Sequence, residues 1–321
     1  MVPDSALPSL PSSRLSVVPQ LFQRIDWLIV LLVSWLLPLG LIRGVKVTYF
    51  SSLLFWLVPI VCLLPRFLRL THPGSRRRRA LGWATVQIVV LGVLLDFVFG
   101  HRILQFASPL SGTYIGYLPA IGMQIPIEEV LFYVLSPVAI LLVYFWCDEY
   151  FLSLYNQQPR RLALDPERPL IRVSGRVLLA AVVGLGLGIF LKTQWSTTGG
   201  WLPFYFTFLV IVALVPAVLL YDSVKDLINW RALTMTILYV IATSIIWEVT
   251  LAIPRRWWGY IPEAMLGKMV EPWTADPMWP FPIEAALVWI SAPFACVFTY
   301  EAVKAYHYHP AATRLGRLLR R

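Results

Sequence analysis

Eight apolar runs separated by polar loops make up nearly half of the 321-residue chain. Runs of about 17–25 apolar residues are long enough to cross a lipid bilayer as α-helices. Hydrophobic residues account for 58% of the chain and charged residues for only 14%, which fits a chain embedded in lipid. We therefore predict an all-α polytopic membrane protein, with spans at residues 26–42, 50–65, 81–98, 125–147, 177–191, 203–221, 233–252 and 281–300.

The basic residues are distributed unevenly over the loops of this predicted topology. An even number of spans places both termini on one side, and that side carries 20 of the 27 Lys and Arg residues. Basic residues accumulate in cytoplasmic loops. We therefore predict a multi-pass protein of the cell membrane with both termini cytoplasmic. The net charge of +10 is explained by this orientation, and we expect no nucleic-acid partner.

A short motif occurs twice in the chain. Pro-Ile-Glu-Glu-Val-Leu-Phe at residues 126–132 returns 156 positions later as Pro-Ile-Glu-Ala-Ala-Leu-Val at residues 282–288. Upstream, Gly-Tyr-x-Pro occurs at 116–119 and again at 259–262, an offset of 143 that calls for an insertion of 13 residues in the second half. A repeat of this kind constrains the architecture. Because each half contains four spans, we predict two parallel repeats related by an axis along the membrane normal.

The domain organisation follows from the repeat. The first 25 residues are rich in Ser and Pro and lack the basic start of a signal peptide, so we predict a disordered cytoplasmic tail there. The remaining predicted units are a first membrane repeat at 26–148, a cytoplasmic linker at 149–176, a second membrane repeat at 177–303 and a basic cytoplasmic tail at 304–321.

Two other patterns are assigned to helix packing. Cys62, Cys147 and Cys296 lie in apolar segments at unrelated spacings, which favours neither a disulfide framework nor a metal site. The Gly-x-Gly-x-Gly segment at 184–188 lies within a predicted span. A dinucleotide-binding loop would need a preceding strand, so close contact between helices is the favoured interpretation. We expect no metal and no cofactor.

Five acidic residues lie within the predicted spans or at their ends. They are Asp96, Glu128, Glu129, Glu248 and Glu284. The predicted topology places all five in the outer half of the bilayer, and carboxylates in spans usually mark an ion pathway, a proton relay or a reactive site. An alternative is that they cap helix N-termini, where the helix dipole favours negative charge. That alternative covers the three glutamates at helix starts, but not Asp96 and Glu248.

Aromatic residues surround these acids in the sequence. The candidate substrate-contacting residues are Tyr114, Tyr117, Phe132, Trp247, Trp258 and Tyr260. Interfacial Trp and Tyr residues are ordinary membrane anchors, but aromatic faces also stabilise cations. Carboxyl groups clustered in an apolar environment keep some protons at neutral pH and can then act as acid or base. The combination is typical of an enzyme that starts a reaction by protonation and handles a carbocation.

The motif Pro-Ile-Glu-Glu-x-x-Phe, with Gln124 before it and Gly-Tyr-x-Pro upstream, resembles the heterodimeric type of lycopene cyclase. The small membrane domains of that family occur as separate subunits or as a tandem fusion, and the resemblance covers mainly residues 80–147 and 233–300. It implies an enzyme that closes β-rings on a linear carotenoid such as lycopene, without net redox change and without a cofactor. The lipid bilayer and other carotenoid-pathway enzymes are the partners that it implies.

The resemblance also implies roles for the acids. Glu128, Glu129 and Glu284 match the motif acids, and Asp96 and Glu248 match the acids that end the preceding span. Either Glu128 or Glu129 is then the expected proton donor, and the remaining acids stabilise the cation or accept the final proton. Ala285 and Val288 replace the second Glu and the Phe in the second copy, so we do not expect the repeats to be equivalent.

Two other functions remain open at this stage. One is a protonation-initiated cyclase that acts on a different prenyl chain. The other is a proton-coupled transporter, which would also place carboxylates in its spans but would favour broken helices near the membrane midplane.

The charge distribution generates a prediction about orientation. We expect a reporter enzyme that is active only outside the cytoplasm to be inactive when fused after Arg321, and a fluorescent protein fused there to fluoresce. Reporter activity found only outside the membrane would contradict the orientation, and with it the shared depth of the five acids.

Overall fold

The computed structural model describes residues 47–62, 75–107, 114–148, 152, 171–196, 200–270 and 281–308. The predicted span at 26–42 lies outside these residues, as do the whole N-terminal tail and most of the linker and the C-terminal tail.

Most of the described residues are helical. The helices are α1 (Tyr49–Cys62), α2 (Ser75–Ile103), α3 (Ile127–Trp146), α4 (Gly175–Trp195), α5 (Phe204–Val224), α6 (Trp230–Trp247) and α7 (Ala285–Tyr308). Helix α6 continues into a π-helical turn at Glu248–Ala252, and a short 3₁₀-helix spans Pro262–Ala264. Each long helix coincides with one of the apolar runs, since a helix satisfies its own backbone polar groups where no water can do so.

Six of these helices, α2 to α7, are long and apolar enough to cross a membrane. The prediction of a largely helical polytopic membrane protein is confirmed, and six of the eight predicted spans correspond to α2–α7. The predicted span at 50–65 overlaps α1 (Tyr49–Cys62), and its last three residues lie outside the described part of the chain.

The helices differ in how much of their surface the protein covers. About half of the most apolar segment is buried in α3, α6 and α7 (56%, 44% and 50%), against 17% in α2, 11% in α4 and 17% in α5. The first three helices therefore form the centre of the bundle. The other three expose Leu94, Leu179, Val183 and similar side chains on their outer surfaces, which is the arrangement that lipid favours.

Three short antiparallel strand pairs lie together at one end of the bundle. The strands are β1 (Leu104–Phe106), β2 (Tyr117–Ala120), β3 (Met123–Pro126), β4 (Trp258–Tyr260), β5 (Met269–Val270) and β6 (Phe281–Pro282), paired as β1–β4, β2–β3 and β5–β6. Strand β1 directly follows α2, and β3 leads directly into α3. The pairing of β1 with β4 brings the end of α2 beside the end of α6, so the acid-bearing helix ends meet there.

The two Gly-Tyr-x-Pro segments do not hold corresponding places. Tyr117 pairs with Pro126 in the β2–β3 hairpin, whereas Tyr260 pairs with Leu104 across β1–β4. The expected correspondence at an offset of 143, with its insertion of 13 residues, is therefore wrong. Both segments are short and extended. The strand with which each one pairs depends on which helix ends lie beside it and not on its own four residues.

One glycine of the Gly-x-Gly-x-Gly segment in α4 allows close contact with a neighbouring helix. A Cβ atom at Gly188 would collide with the Phe206 ring of α5, whereas Gly184 and Gly186 have open space around the same position. The predicted close helix contact is confirmed at Gly188. Cys147 and Cys296 are buried free thiols at the end of α3 and within α7.

Candidate active site

A partly open cavity of about 100 Å³ lies where α2 and α6 end and α3 begins. Three of the predicted acids line this acid cavity: Asp96 of α2, Glu129 of α3 and Glu248 of the π-helical turn. The rest of its described lining is apolar or aromatic and includes no Lys or Arg. Three carboxyl groups from helices distant in sequence thus face one small volume in the interior of an apolar bundle.

Glu129 is held by a residue from α1. The Tyr49 hydroxyl donates a hydrogen bond to Glu129 Oε2 over 2.7 Å, and only 1% of the Tyr49 surface is exposed. Tyr49 is not among the site residues predicted from the sequence. Nothing local could have done so, because 80 positions separate Tyr49 from its carboxyl partner.

Glu248 accepts hydrogen bonds on both of its oxygens. Tyr260 Oη donates to Oε1 over 2.8 Å, and Trp289 Nε1 donates to Oε2 over 3.0 Å. Glu248 is 2% exposed. These two donors come from β4 and α7, so elements on either side of the cavity fix the orientation of this carboxylate. Hydrogen bonds of this kind to a charged acceptor are among the stronger ones in proteins.

Asp96 is less constrained than the two glutamates. It is 6% exposed, and its Oδ2 atom has no hydrogen-bond partner among the described residues. Gly100, one turn further along α2, leaves the space that the carboxyl group occupies, since a Cβ atom there would lie 2.8 Å from Asp96 Oδ1. Asp96 therefore belongs to the lining of the cavity and has one oxygen without a donor among the described residues.

The other two predicted acids, Glu128 and Glu284, lie outside the lining of the acid cavity. Ile115 N–H donates to Glu128 Oε1 over 2.7 Å, and Leu266 N–H donates to Glu284 Oε1. Both carboxyl groups are buried. Each glutamate stands at a helix start, but it binds the loop before that helix. The capping interpretation is thus right about their position and wrong about their partner.

The loop bound by Glu284 is also anchored to α4. The buried Lys192 side chain donates to the carbonyl oxygens of Glu263 (2.9 Å) and Met265 (2.5 Å). Gly267 has φ +100°, and a Cβ atom there would lie 2.6 Å from Ser196 Cα. Burial raises the pKa of Glu284 above its usual value, while the Leu266 hydrogen bond and the Lys192 charge oppose the shift.

The predicted aromatic residues fall into two groups. Phe132, Trp247, Trp258 and Tyr260 line the acid cavity. Tyr114 and Tyr117 do not line it. The Tyr114 hydroxyl donates to the Trp257 carbonyl oxygen, and its ring packs edge-on against Tyr49 at 6.2 Å between centroids. Besides Tyr49, the lining contains four aromatic residues that are not among the predicted substrate-contacting residues, namely Tyr133, Tyr205, Phe208 and Trp289.

Within the described part of the chain, no group of three or more His, Cys, Asp or Glu side chains is arranged to hold a metal ion. Comparisons with family models, curated proteins and solved structures gave no match for this chain. The function is therefore inferred from the geometry of the acid cavity.

The contact between Glu284 and Leu266 predicts a specific loss of stability. Glu284→Ala leaves a buried N–H group without its acceptor, which costs about 1–3 kcal/mol. We expect a lower midpoint in thermal unfolding of the detergent-purified protein.

Glu263→Ala is the matched control, because it removes an exposed carboxylate from the same loop while the carbonyl that binds Lys192 remains. Its expected effect is within about 0.5 kcal/mol, as for most surface substitutions. Equal midpoints for the two variants would show that Glu284 does not hold the loop.

Proposed function

We propose that this chain is an integral-membrane cyclase that closes rings on a linear polyene by acid-initiated, redox-neutral isomerisation, as the lycopene cyclases that it resembles do. The observation that carries the proposal is the convergence of Asp96, Glu129 and Glu248 on one aromatic-walled cavity. Such a cavity supplies a proton donor, a counter-charge and π-faces for a cation among apolar side chains.

The proposed reaction has three steps, and its atoms balance. A carboxylic acid protonates the terminal C=C bond of the polyene and leaves a tertiary carbocation. The π-electrons of a nearby double bond attack that cation, which forms the ring C–C bond and moves the positive charge onto a ring carbon. A carboxylate then removes a proton from the adjacent carbon, so that a ring double bond forms. One proton enters, one leaves and the molecular formula is unchanged.

The contacts support different roles for the three acids. Both oxygens of Glu248 accept hydrogen bonds that fix its orientation, and we assign to it the role of counter-ion for the carbocation. Glu129 has a single side-chain donor, Tyr49, on one oxygen. We assign proton donation to Glu129, and we assign removal of the final proton to Asp96. We assign to Glu128 and Glu284 the role of holding the loops that precede α3 and α7.

We also propose that the chain consists of two parallel repeats within eight spans. Four pairs of features support this proposal. Asp96 and Glu248 lie 152 positions apart, and strands β1 and β4 pair with each other. Glu128 and Glu284 both bind the preceding loop, and Pro137 and Pro293 lie inside α3 and α7. Glu129 breaks the symmetry, because the fully buried Ala285 takes its place in the second copy. The two repeats would then share one active centre.

A proton-coupled transporter is the second candidate, and the π-helical turn at Glu248–Ala252 favours it. Such turns are frequent at functional sites, and interrupted helices bind ions in transporters. This turn lies at the end of α6 rather than near its middle, however, and aromatic rings dominate the lining around Glu248. Both features fit an aromatic-walled active site better than a water-filled transport pathway.

Isotope labelling during turnover tests the proposed mechanism. In a host that accumulates lycopene, we expect the chain to produce a cyclised carotene. For the purified protein in D₂O, we expect about one deuterium per ring closed, since the donor carries a solvent-derived proton. Ring formation without deuterium would contradict the acid-initiated mechanism. A transporter would leave the lycopene unlabelled, and conversion of another prenyl chain alone would identify the alternative cyclase.

The assignment of the proton donor is tested by Glu129→Gln, which keeps the size of the side chain and removes its acidic proton. General acid catalysis contributes typically 10²–10⁴-fold, so we expect cyclisation to fall by about 10²-fold or more at unchanged protein level. Glu128→Gln is the matched control, because its amide oxygen can still accept from Ile115 N–H, and we expect a much smaller loss. Wild-type rates in Glu129→Gln would remove Glu129 as the donor.

A further inference from the structure

A second cavity, of about 50 Å³, lies between α1, α3 and α6. We call it the apolar slot. Its walls are formed by Leu53, Trp56, Ile60, Ala139, Val143 and Val240, together with neighbouring residues on the same helix faces. Hydroxyl groups occur in the lining, but those of Ser136 and Thr243 donate to the carbonyl oxygens of Phe132 and Tyr239 one turn earlier. The slot therefore offers an almost entirely apolar surface.

The lining of the slot extends along two helices. On α3 its lining extends from Phe132 to Val143, which at 1.5 Å per residue is about 16 Å. On α1 it extends from Leu53 to Ile60, or about 10 Å.

The slot adjoins the acid cavity, because Phe132, Trp247 and Trp289 line both of them. We call these three residues the aromatic collar. The Phe132 and Trp247 rings are stacked with 6.1 Å between centroids and 5° between planes, and Trp289 stands edge-on to Phe132 at 6.0 Å. Trp289 also donates to Glu248. The collar is thus fixed beside a carboxylate, with aromatic faces between the two spaces.

We propose that the apolar slot binds the extended, unreacted part of a linear polyene or prenyl chain, and that the aromatic collar positions the reacting end in the acid cavity. This inference rests on the proposed function and adds the shape of the substrate to it. A conjugated polyene is flat and extended, which suits an apolar lining that follows α1 and α3 over several turns. A carbocation formed at the chain end would lie next to the collar, where aromatic faces attract it.

The slot can be tested by narrowing it away from the acids. Ala139 is buried, lines the slot and lies seven residues from Phe132 on α3, so Ala139→Phe adds a ring about 10 Å from the collar. Val134→Phe is the matched control, because Val134 is 40% exposed on the same helix and lines neither cavity. The measurement is saturation binding of lycopene and of geranylgeraniol to the purified full chain in detergent.

We expect Ala139→Phe to raise the Kd at least tenfold for whichever probe the wild-type chain binds. We expect Val134→Phe to change that Kd less than twofold. Ser136→Leu narrows the slot from a second position and serves if Ala139→Phe does not accumulate as a monodisperse protein. Wild-type affinity in the slot variants would overturn the inference. Failure of the wild-type chain to bind either probe, or displacement of the probe by phospholipid at equal concentration, would also overturn it.

Glu129→Gln separates this inference from the proposed function. We expect this variant to bind lycopene with wild-type affinity without converting it. If slot variants lose binding while the wild-type chain binds but never cyclises either probe, the slot stands as a binding channel and the proposed reaction fails. If cyclisation occurs and the slot variants bind normally, the reaction stands and the chain end is held elsewhere.

Discussion

Buried carboxyl groups in a lipid-embedded bundle have to find hydrogen-bond donors within the protein, because water is not available to solvate them. Leaving such a group without partners costs several kcal/mol. In this chain the donors come from loops, strands and distant helices rather than from the helices that carry the acids. Tyr49 reaches Glu129 from α1, and Tyr260 reaches Glu248 from β4. The need to satisfy these groups therefore connects elements that are far apart in the sequence.

The same requirement separates the acids into two kinds. Glu128 and Glu284 accept from backbone N–H groups and hold the loops over the end of the bundle. Asp96, Glu129 and Glu248 face the acid cavity. The duplicated glutamate of the motif is thus the one that binds the loops, and the unduplicated Glu129 faces the cavity.

Aromatic residues join the acid cavity to the apolar space beside it. Phe132, Trp247 and Trp289 belong to three different helices, and each contributes a ring to both cavities. Trp289 also donates to Glu248, so the ring that borders the slot is oriented by the carboxylate of the site. Packing and electrostatics are coupled at this point. A change in the orientation of α7 would alter both the collar and the carboxylate that it holds.

The sequence by itself determined the helical membrane architecture and the positions of six described spans. It also determined which five acidic residues lie within the spans or at their ends. These are local properties, since the length of an apolar run and an acid inside it can be read without knowing any neighbour. The tertiary structure alone decided which acids share a cavity, that Tyr49 binds Glu129, and that Tyr260 pairs with Leu104 rather than in a hairpin like that of Tyr117. The physical reason is that these contacts depend on how each helix is rotated and which helix ends meet. Those quantities are set by packing among segments as much as 195 residues apart, as in the hydrogen bond from Trp247 to Ser52.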